Sequence, residues 1–135
     1  MSPETASVIS QVAASVVVVA LFYGILKRRD RAIHIPVMIA CFAVDLANVL
    51  FIELSRLLRG EEGAVSKASG ELLAGVPTIL FVHIIASILT IVGYVVATWS
   101  GFRLHRRGIG RRLHRANAWA FVVVRLVTYS TSFFV

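Results

Sequence analysis

The chain has 135 residues, of which 58% are hydrophobic and only 16% are charged, and its mean hydropathy is +0.83. A soluble domain usually has about 25% charged residues, and one of this size could not bury so much apolar surface. The net charge of +7 would suggest nucleic acid in a soluble protein, but here the charges lie in blocks between apolar runs, which is typical of membrane topology. The composition therefore excludes a soluble enzyme, a nucleic-acid-binding domain and a disordered protein, and it predicts an integral membrane protein.

Four apolar stretches are long enough to cross a bilayer, which requires about 20 mostly apolar residues. In chain order they are residues 5–26, 32–55, 72–102 and 116–135. Backbone polar groups have no water partner in lipid, so each stretch is predicted to be a helix. The sequence therefore predicts an all-α, integral membrane, antiparallel four-helix bundle that occupies residues 1–135 as a single domain.

The segments between these stretches predict the orientation of the bundle. Residues 27–31 hold four basic residues and one acidic residue, and residues 103–115 hold six basic residues and no acidic one. Basic segments are expected on the cytoplasmic side, so both termini are predicted to lie outside the cytoplasm. The glycine- and serine-containing segment 56–71 is expected to be a flexible outer connector. The arginine-rich segment 103–115 is expected to contact anionic lipid headgroups.

Polar residues recur at helical spacing within three of the stretches, and each of these polar faces includes a histidine. The second stretch places His34, Met38, Cys41, Asp45, Asn48, Ile52 and Ser55 on one face. The face of the third stretch consists of His83, Ser87, Thr90, Tyr94, Thr98, Gly101 and His105. The face of the fourth stretch consists of His114, Asn117, Phe121, Arg125, Thr128 and Ser132. Because polar residues are costly in lipid, these faces are expected to contact protein.

Two embedded charges have opposite signs and similar depths. Asp45 lies about 20 Å, and Arg125 about 14 Å, from the cytoplasmic ends of their stretches. A long arginine side chain can span this difference in depth, which predicts an intramembrane ion pair between Asp45 and Arg125. Such a pair either fixes the helix register or serves as a proton relay or anchor.

Glu53 and His83 form a second predicted pair in the outer halves of the second and third stretches. A carboxylate and an imidazole within reach of each other either bind a metal ion or form a hydrogen bond. With His34 and His114, they are the candidate metal ligands.

The other histidines, His34, His105 and His114, lie near the predicted cytoplasmic side. Two histidines from facing helices can bind haem iron axially, and neighbouring arginines can pair with the haem propionates. His34 with His105 or His114 could supply such a pair. The alternative is that His105 and His114 are solvated members of a basic loop.

Three segments, AIHIPVMIA (32–40), HIIASI (83–88) and HRANAWAFV (114–122), resemble a family of small bacterial multi-helix membrane proteins. Some members of that family are implicated in the maturation of haem-copper cytochrome oxidase. The resemblance implies roles for His34, His83 and His114 and a location in the bacterial cytoplasmic (inner) membrane. The four-span histidine pattern also loosely resembles b-type membrane cytochromes.

Three functions remain open from the sequence. The first is a helper or accessory subunit of a respiratory terminal oxidase that handles haem, copper or iron. The second is a b-type electron-transfer cytochrome. The third is a structural accessory subunit that packs against a larger membrane complex and has no cofactor of its own. The sequence contains no HExxH, GxSxG, Walker or GxGxxG motif, so an enzyme is not expected.

Overall fold

The computed structural model describes residues 2–74 and 79–134, and every regular element within them is an α-helix. The helices are α1 (Pro3–Leu26), α2 (Arg31–Leu58), α3 (Ala64–Leu73), α4 (Ile79–Arg107) and α5 (Arg111–Thr131). They form two compact units, Met1–Pro77 and Thr78–Val135, which are called the N-terminal and C-terminal units below. The prediction of an all-α chain is confirmed for the described residues.

In the N-terminal unit, α1 and α2 pack as a helical hairpin, and both helices begin at a side-chain cap. The hydroxyl of Ser2 accepts a hydrogen bond from the backbone N–H of Thr5 at 3.2 Å. The carboxylate of Asp30 accepts one from the N–H of Ala32 at 3.0 Å. These bonds satisfy N–H groups that a helix start leaves without an intrahelical partner. Only residues 27–30 of the basic segment separate the two helices.

Three of the described helices are long and apolar enough to cross a membrane: Glu4–Leu26, Arg31–Leu58 and Ile79–Arg107. The predicted fourth span corresponds to α5, which does not belong to this set. Four arginines in α5 lower its apolar character: Arg111, Arg112, Arg115 and Arg125.

The expectation of a flexible connector over residues 56–71 is wrong for most of that segment. Helix α2 continues to Leu58, and α3 occupies Ala64–Leu73, so only residues 59–63 separate them. Gly60 has a φ of +70°, a conformation that glycine adopts without steric cost. The alanine, leucine, lysine and glutamate of α3 favour helix and outweigh its serines and its glycine. Residues 75–78, within the predicted third span, lie outside the described residues, as does residue 135.

The basic segment 103–115 is also mostly helical. Helix α4 runs through Arg107 and α5 begins at Arg111, with Gly108 at φ +67° and Gly110 at φ +89° in the turn between them. Arginine is a good helix former. The arginine nearest to each apolar stretch therefore marks the end of the apolar surface and not the end of the helix. For this reason α4 ends later, and α5 begins earlier, than the sequence predicted.

Small or medium-sized residues occupy much of the buried surface within each unit. The buried apolar residues are Ala6, Ala14, Val17, Leu21, Cys41, Ala86, Tyr94, Phe121 and Val122. Many other aliphatic residues are exposed, for example Val19, at 70%, and Leu50, at 60%. Small residues between helices and aliphatic residues on the outside are typical of membrane helix packing, where lipid covers the outer face.

Candidate functional site: hydrogen-bonded histidines in two helical hairpins

Side chains of α2 contact the backbone of α1 at three levels that are seven residues apart. The pairs are His34 Nδ1 with Gly24 O (2.8 Å), Cys41 Sγ with Val17 O (3.8 Å) and Asn48 Nδ2 with Ser10 O (3.4 Å). The acceptors are also seven residues apart and run in the opposite direction, which is the register of an antiparallel pair. A spacing of seven keeps contacts on one seam of two packed helices.

His34 forms the shortest of these three contacts. Gly24 lies in the last turn of α1, where backbone carbonyls have no intrahelical donor. Because a carbonyl oxygen can only accept, Nδ1 of His34 must have the proton and donate it. In the neutral ring, Nε2 is then the nitrogen with the lone pair.

The α4–α5 hairpin is joined by three side-chain contacts along its length. They are His83 Nδ1 with Thr131 Oγ1 (2.9 Å), Thr90 Oγ1 with Thr128 Oγ1 (2.9 Å) and Ser100 Oγ with His114 Nδ1 (3.0 Å). Pairing of early α4 with late α5, and of late α4 with early α5, is the antiparallel arrangement. The three contacts join the two helices near both ends of the hairpin.

The hydroxyl partners of His83 indicate which of its nitrogens donates. Thr131 Oγ1 donates to the carbonyl of Val127 at 2.8 Å, so its oxygen is left to accept from Nδ1–H of His83. Ser87 Oγ lies 3.5 Å from Nε2 and donates to the backbone carbonyl of His83 at 2.8 Å. Nδ1–H of His83 is therefore the donor that joins α4 to α5.

His114 is held in the same way at the opposite end of the hairpin. Ser100 is 3% exposed, and its hydroxyl donates to the carbonyl of Ala97 at 3.1 Å. Its oxygen then accepts from Nδ1–H of His114. A Cβ atom added to Gly101 would lie 3.3 Å from the His114 ring, so the glycine leaves room for the imidazole.

An aromatic contact fills the hairpin between these polar ends. The rings of Tyr94 and Phe121 have centroids 4.4 Å apart, and their side chains are 2% and 3% exposed. A Cβ atom at Gly93 would lie 2.9 Å from the Phe121 ring. Gly93 is thus required for the close approach of α5 to α4.

The two predicted ion-pair residues are both buried. Asp45 is 9% exposed in the N-terminal unit, and Arg125 is 3% exposed in the C-terminal unit. They belong to different units, so their pairing stays a prediction. The same holds for Glu53 with His83 and for His34 with His105 or His114.

Within a single unit, the candidate metal ligands lie far apart. His34 and Glu53 are 19 residues apart on α2, which corresponds to about 28 Å. His83 is 17 residues from Ser100, the partner of His114, which corresponds to about 26 Å. Neither pair can bind one ion. In residues 2–74 and 79–134, no three histidine, cysteine or acidic side chains form a group that could hold a metal ion.

Comparison with known protein families, curated proteins and solved structures finds no match to this chain. The sequence indicated the polar faces but not their partners, namely the Gly24 carbonyl and the hydroxyls of Ser100 and Thr131. The available signal was the matched spacing of seven, at residues 34, 41 and 48 and at residues 10, 17 and 24.

Proposed function

We propose that the protein is a small multispan membrane protein that binds haem or a transition metal through histidine imidazoles, and that it assists a respiratory terminal oxidase. The observation that supports this most directly is the hydrogen bond from His34 Nδ1 to the Gly24 carbonyl. A metal-binding histidine typically donates its other ring N–H to a carbonyl, a carboxylate or water, which fixes the tautomer and the ring orientation. His34 has this arrangement, with Nε2 left as the ligand atom.

His83 and His114 in the C-terminal unit are also oriented by a hydrogen bond at Nδ1. Each directs Nδ1 at a hydroxyl, on Thr131 and Ser100 respectively. Each of these hydroxyls also donates to a backbone carbonyl, so Nδ1 is the donor nitrogen in both rings. The same three histidines are the ones that the resemblance to the oxidase-maturation family implicates.

Haem fits the described ligands better than a bare ion does. A protein-bound zinc or copper ion usually needs three or four side-chain ligands close together. Haem iron takes four ligands from the porphyrin, so the protein supplies only one or two. Imidazoles that are oriented by a hydrogen bond and lie far from other candidate ligands of their own unit match this need for one or two protein ligands. Arginines lie near His34 and His114 in the sequence.

We also propose that α5 is the fourth span and that the chain forms an antiparallel four-helix membrane bundle. After Arg115, the only charged residue of α5 is Arg125, and its side chain is 3% exposed. The charged side chain is therefore buried and does not lie on the helix surface that lipid would contact. Contact of α5 with the apolar helix α4 supports the same proposal.

A second candidate function is a structural subunit that packs in a larger membrane complex and has no cofactor. The observation that favours it is that the hydrogen bonds of His34, His83 and His114 each join two helices. Helix packing alone would then account for these three histidines.

The visible spectrum and the metal content of the protein purified in mild detergent distinguish these functions. A Soret band with sharp bands after reduction supports haem binding, and stoichiometric copper or iron without haem supports metal handling. If neither is present and the protein co-purifies in a large complex, the structural function is supported and cofactor binding is refuted. Recovery of terminal oxidase subunits in that complex, or their absence, tests the respiratory assignment separately.

A further inference from the structure

The net positive charge of the chain is confined to its C-terminal part. Residues 1–77 contain seven basic and seven acidic residues, whereas residues 78–135 contain seven arginines and no acidic residue. Six of these arginines lie at the turn between α4 and α5: Arg103, Arg106, Arg107, Arg111, Arg112 and Arg115. No carboxylate side chain of this unit can neutralise them, so the matching negative charge must come from elsewhere.

Three of these arginines line one cavity. The cavity has a volume of about 400 Å³ and opens on the first turns of α5, where it is lined by Arg111, Arg112, Arg115, Ala116 and Trp119. All five side chains are exposed, so the cavity is an open depression on the surface of α5. We refer to this feature as the arginine cavity.

The other arginines of the turn are arranged differently. The guanidinium of Arg103 lies 4.9 Å from the ring centroid of Trp99, and that of Arg106 lies 4.4 Å from the ring centroid of Phe102. Cation–π contacts of this kind hold a guanidinium over an aromatic ring. These side chains do not line the arginine cavity, so the same end of the hairpin contains two separate groups of arginines.

We propose that the arginine cavity binds the phosphate of an anionic phospholipid headgroup. Guanidinium groups form paired hydrogen bonds with phosphate oxygens. The exposed tryptophans Trp99 (54%) and Trp119 (63%) lie four residues from Arg103 and Arg115. Tryptophan is enriched at the boundary between lipid tails and headgroups. Charge and aromatic side chains thus match a lipid at the level where its phosphate lies. This proposal is independent of cofactor binding.

Native mass spectrometry of the full-length protein in neutral detergent tests the proposal, because a detergent micelle has no charged bilayer surface. The protein is titrated with phosphatidylglycerol and, separately, with the zwitterionic phosphatidylcholine of the same acyl chains. The wild-type protein is expected to retain phosphatidylglycerol preferentially. Equal retention of the two lipids would overturn the proposal.

Matched variants show whether the arginine cavity is the site. The cavity variant is R111Q/R112Q/R115Q, and the control variant is R103Q/R106Q/R107Q, which removes the same charge from outside the cavity. Affinity for phosphatidylglycerol should fall about fivefold for each cavity arginine removed, while the control should keep the bound lipid. An equal loss in both variants would show a diffuse charge effect and would contradict a defined site. The single variant R115Q, with its helix content checked by circular dichroism, keeps the test valid if the triple variant folds poorly.

Discussion

The imidazole of His34 joins two helices, since its Nδ1 lies 2.8 Å from the carbonyl oxygen of Gly24. The contact connects the first turn of α2 to the last turn of α1, where a carbonyl would otherwise lack a donor. It also leaves Nε2 as the lone-pair nitrogen. This one hydrogen bond therefore joins α1 to α2 and also orients the ring so that Nε2 can act as a ligand. Substitutions of His34 can separate these two roles.

The His34–Gly24 bond is expected to stabilise the α1–α2 hairpin. His34→Ala removes the donor and should lower the free energy of unfolding by about 1 kcal/mol. His34→Asn keeps an N–H at the position of Nδ1, so it should retain most of the stability. Thermal unfolding of both variants in the same detergent checks this. An equal loss of stability in both variants would contradict the proposed role of the bond.

Gly93→Ala is expected to destabilise the α4–α5 hairpin. Its Cβ would meet the buried ring of Phe121 at 2.9 Å, and overpacking of this kind costs about 1–3 kcal/mol. Alanine favours helix over glycine by about 1 kcal/mol, so the net loss should be up to about 2 kcal/mol.

Gly70→Ala in α3 is the matched control for Gly93→Ala. Among the described residues, no atom lies within 4 Å of a Cβ built there. Only the helix preference then applies, and the variant should be as stable as the wild-type protein or more so. Denaturant or thermal unfolding gives both values. A Gly93→Ala variant as stable as Gly70→Ala would show that α5 does not need this close approach.

The predicted Asp45–Arg125 pair is tested by a double-mutant cycle. Asp45→Asn and Arg125→Gln each leave one buried charge, and we expect each to destabilise the protein because removing one partner of a buried pair costs about 3–5 kcal/mol. The double variant should recover part of this loss. If the two losses simply add, the residues are not coupled and the pair does not exist.

The connector between α2 and α3 contains an ion pair between Arg59 and Glu61. The hydrogen bond from Arg59 lowers the pKa of the Glu61 carboxyl below its ordinary value. Because this pKa is lowered on folding, the pair stabilises the folded state at pH values above the pKa of Glu61 in the unfolded state. This stabilisation is lost as the pH falls through the pKa of Glu61 in the folded state. Titration of the Glu61 carboxyl carbon by NMR should give a low pKa in the wild-type protein and a higher one in Arg59→Gln. An unchanged pKa in the variant would show that Arg59 is not the cause.

The polar faces of the helices could be predicted from sequence because helical spacing alone places residues on a face. The pattern put His34, Cys41 and Asn48 together, and all three contact α1. Their acceptors could not be predicted, because they are backbone carbonyls whose position depends on the register of the two helices. The helix ends were misplaced for a different reason. Charge shows where apolar surface stops, whereas arginine extends a helix beyond that point, as at Arg107 and Arg111.

The ratio of haem, copper and iron to protein in the wild-type protein and in His34→Asn tests the central claim most directly. The asparagine preserves the hydrogen bond to Gly24 but has no Nε2 imidazole nitrogen. This claim predicts a cofactor bound in near-stoichiometric amount to the wild-type protein and lost from a folded, equally stable His34→Asn variant. A wild-type protein without haem or metal, or a variant that retains the full amount, would contradict it.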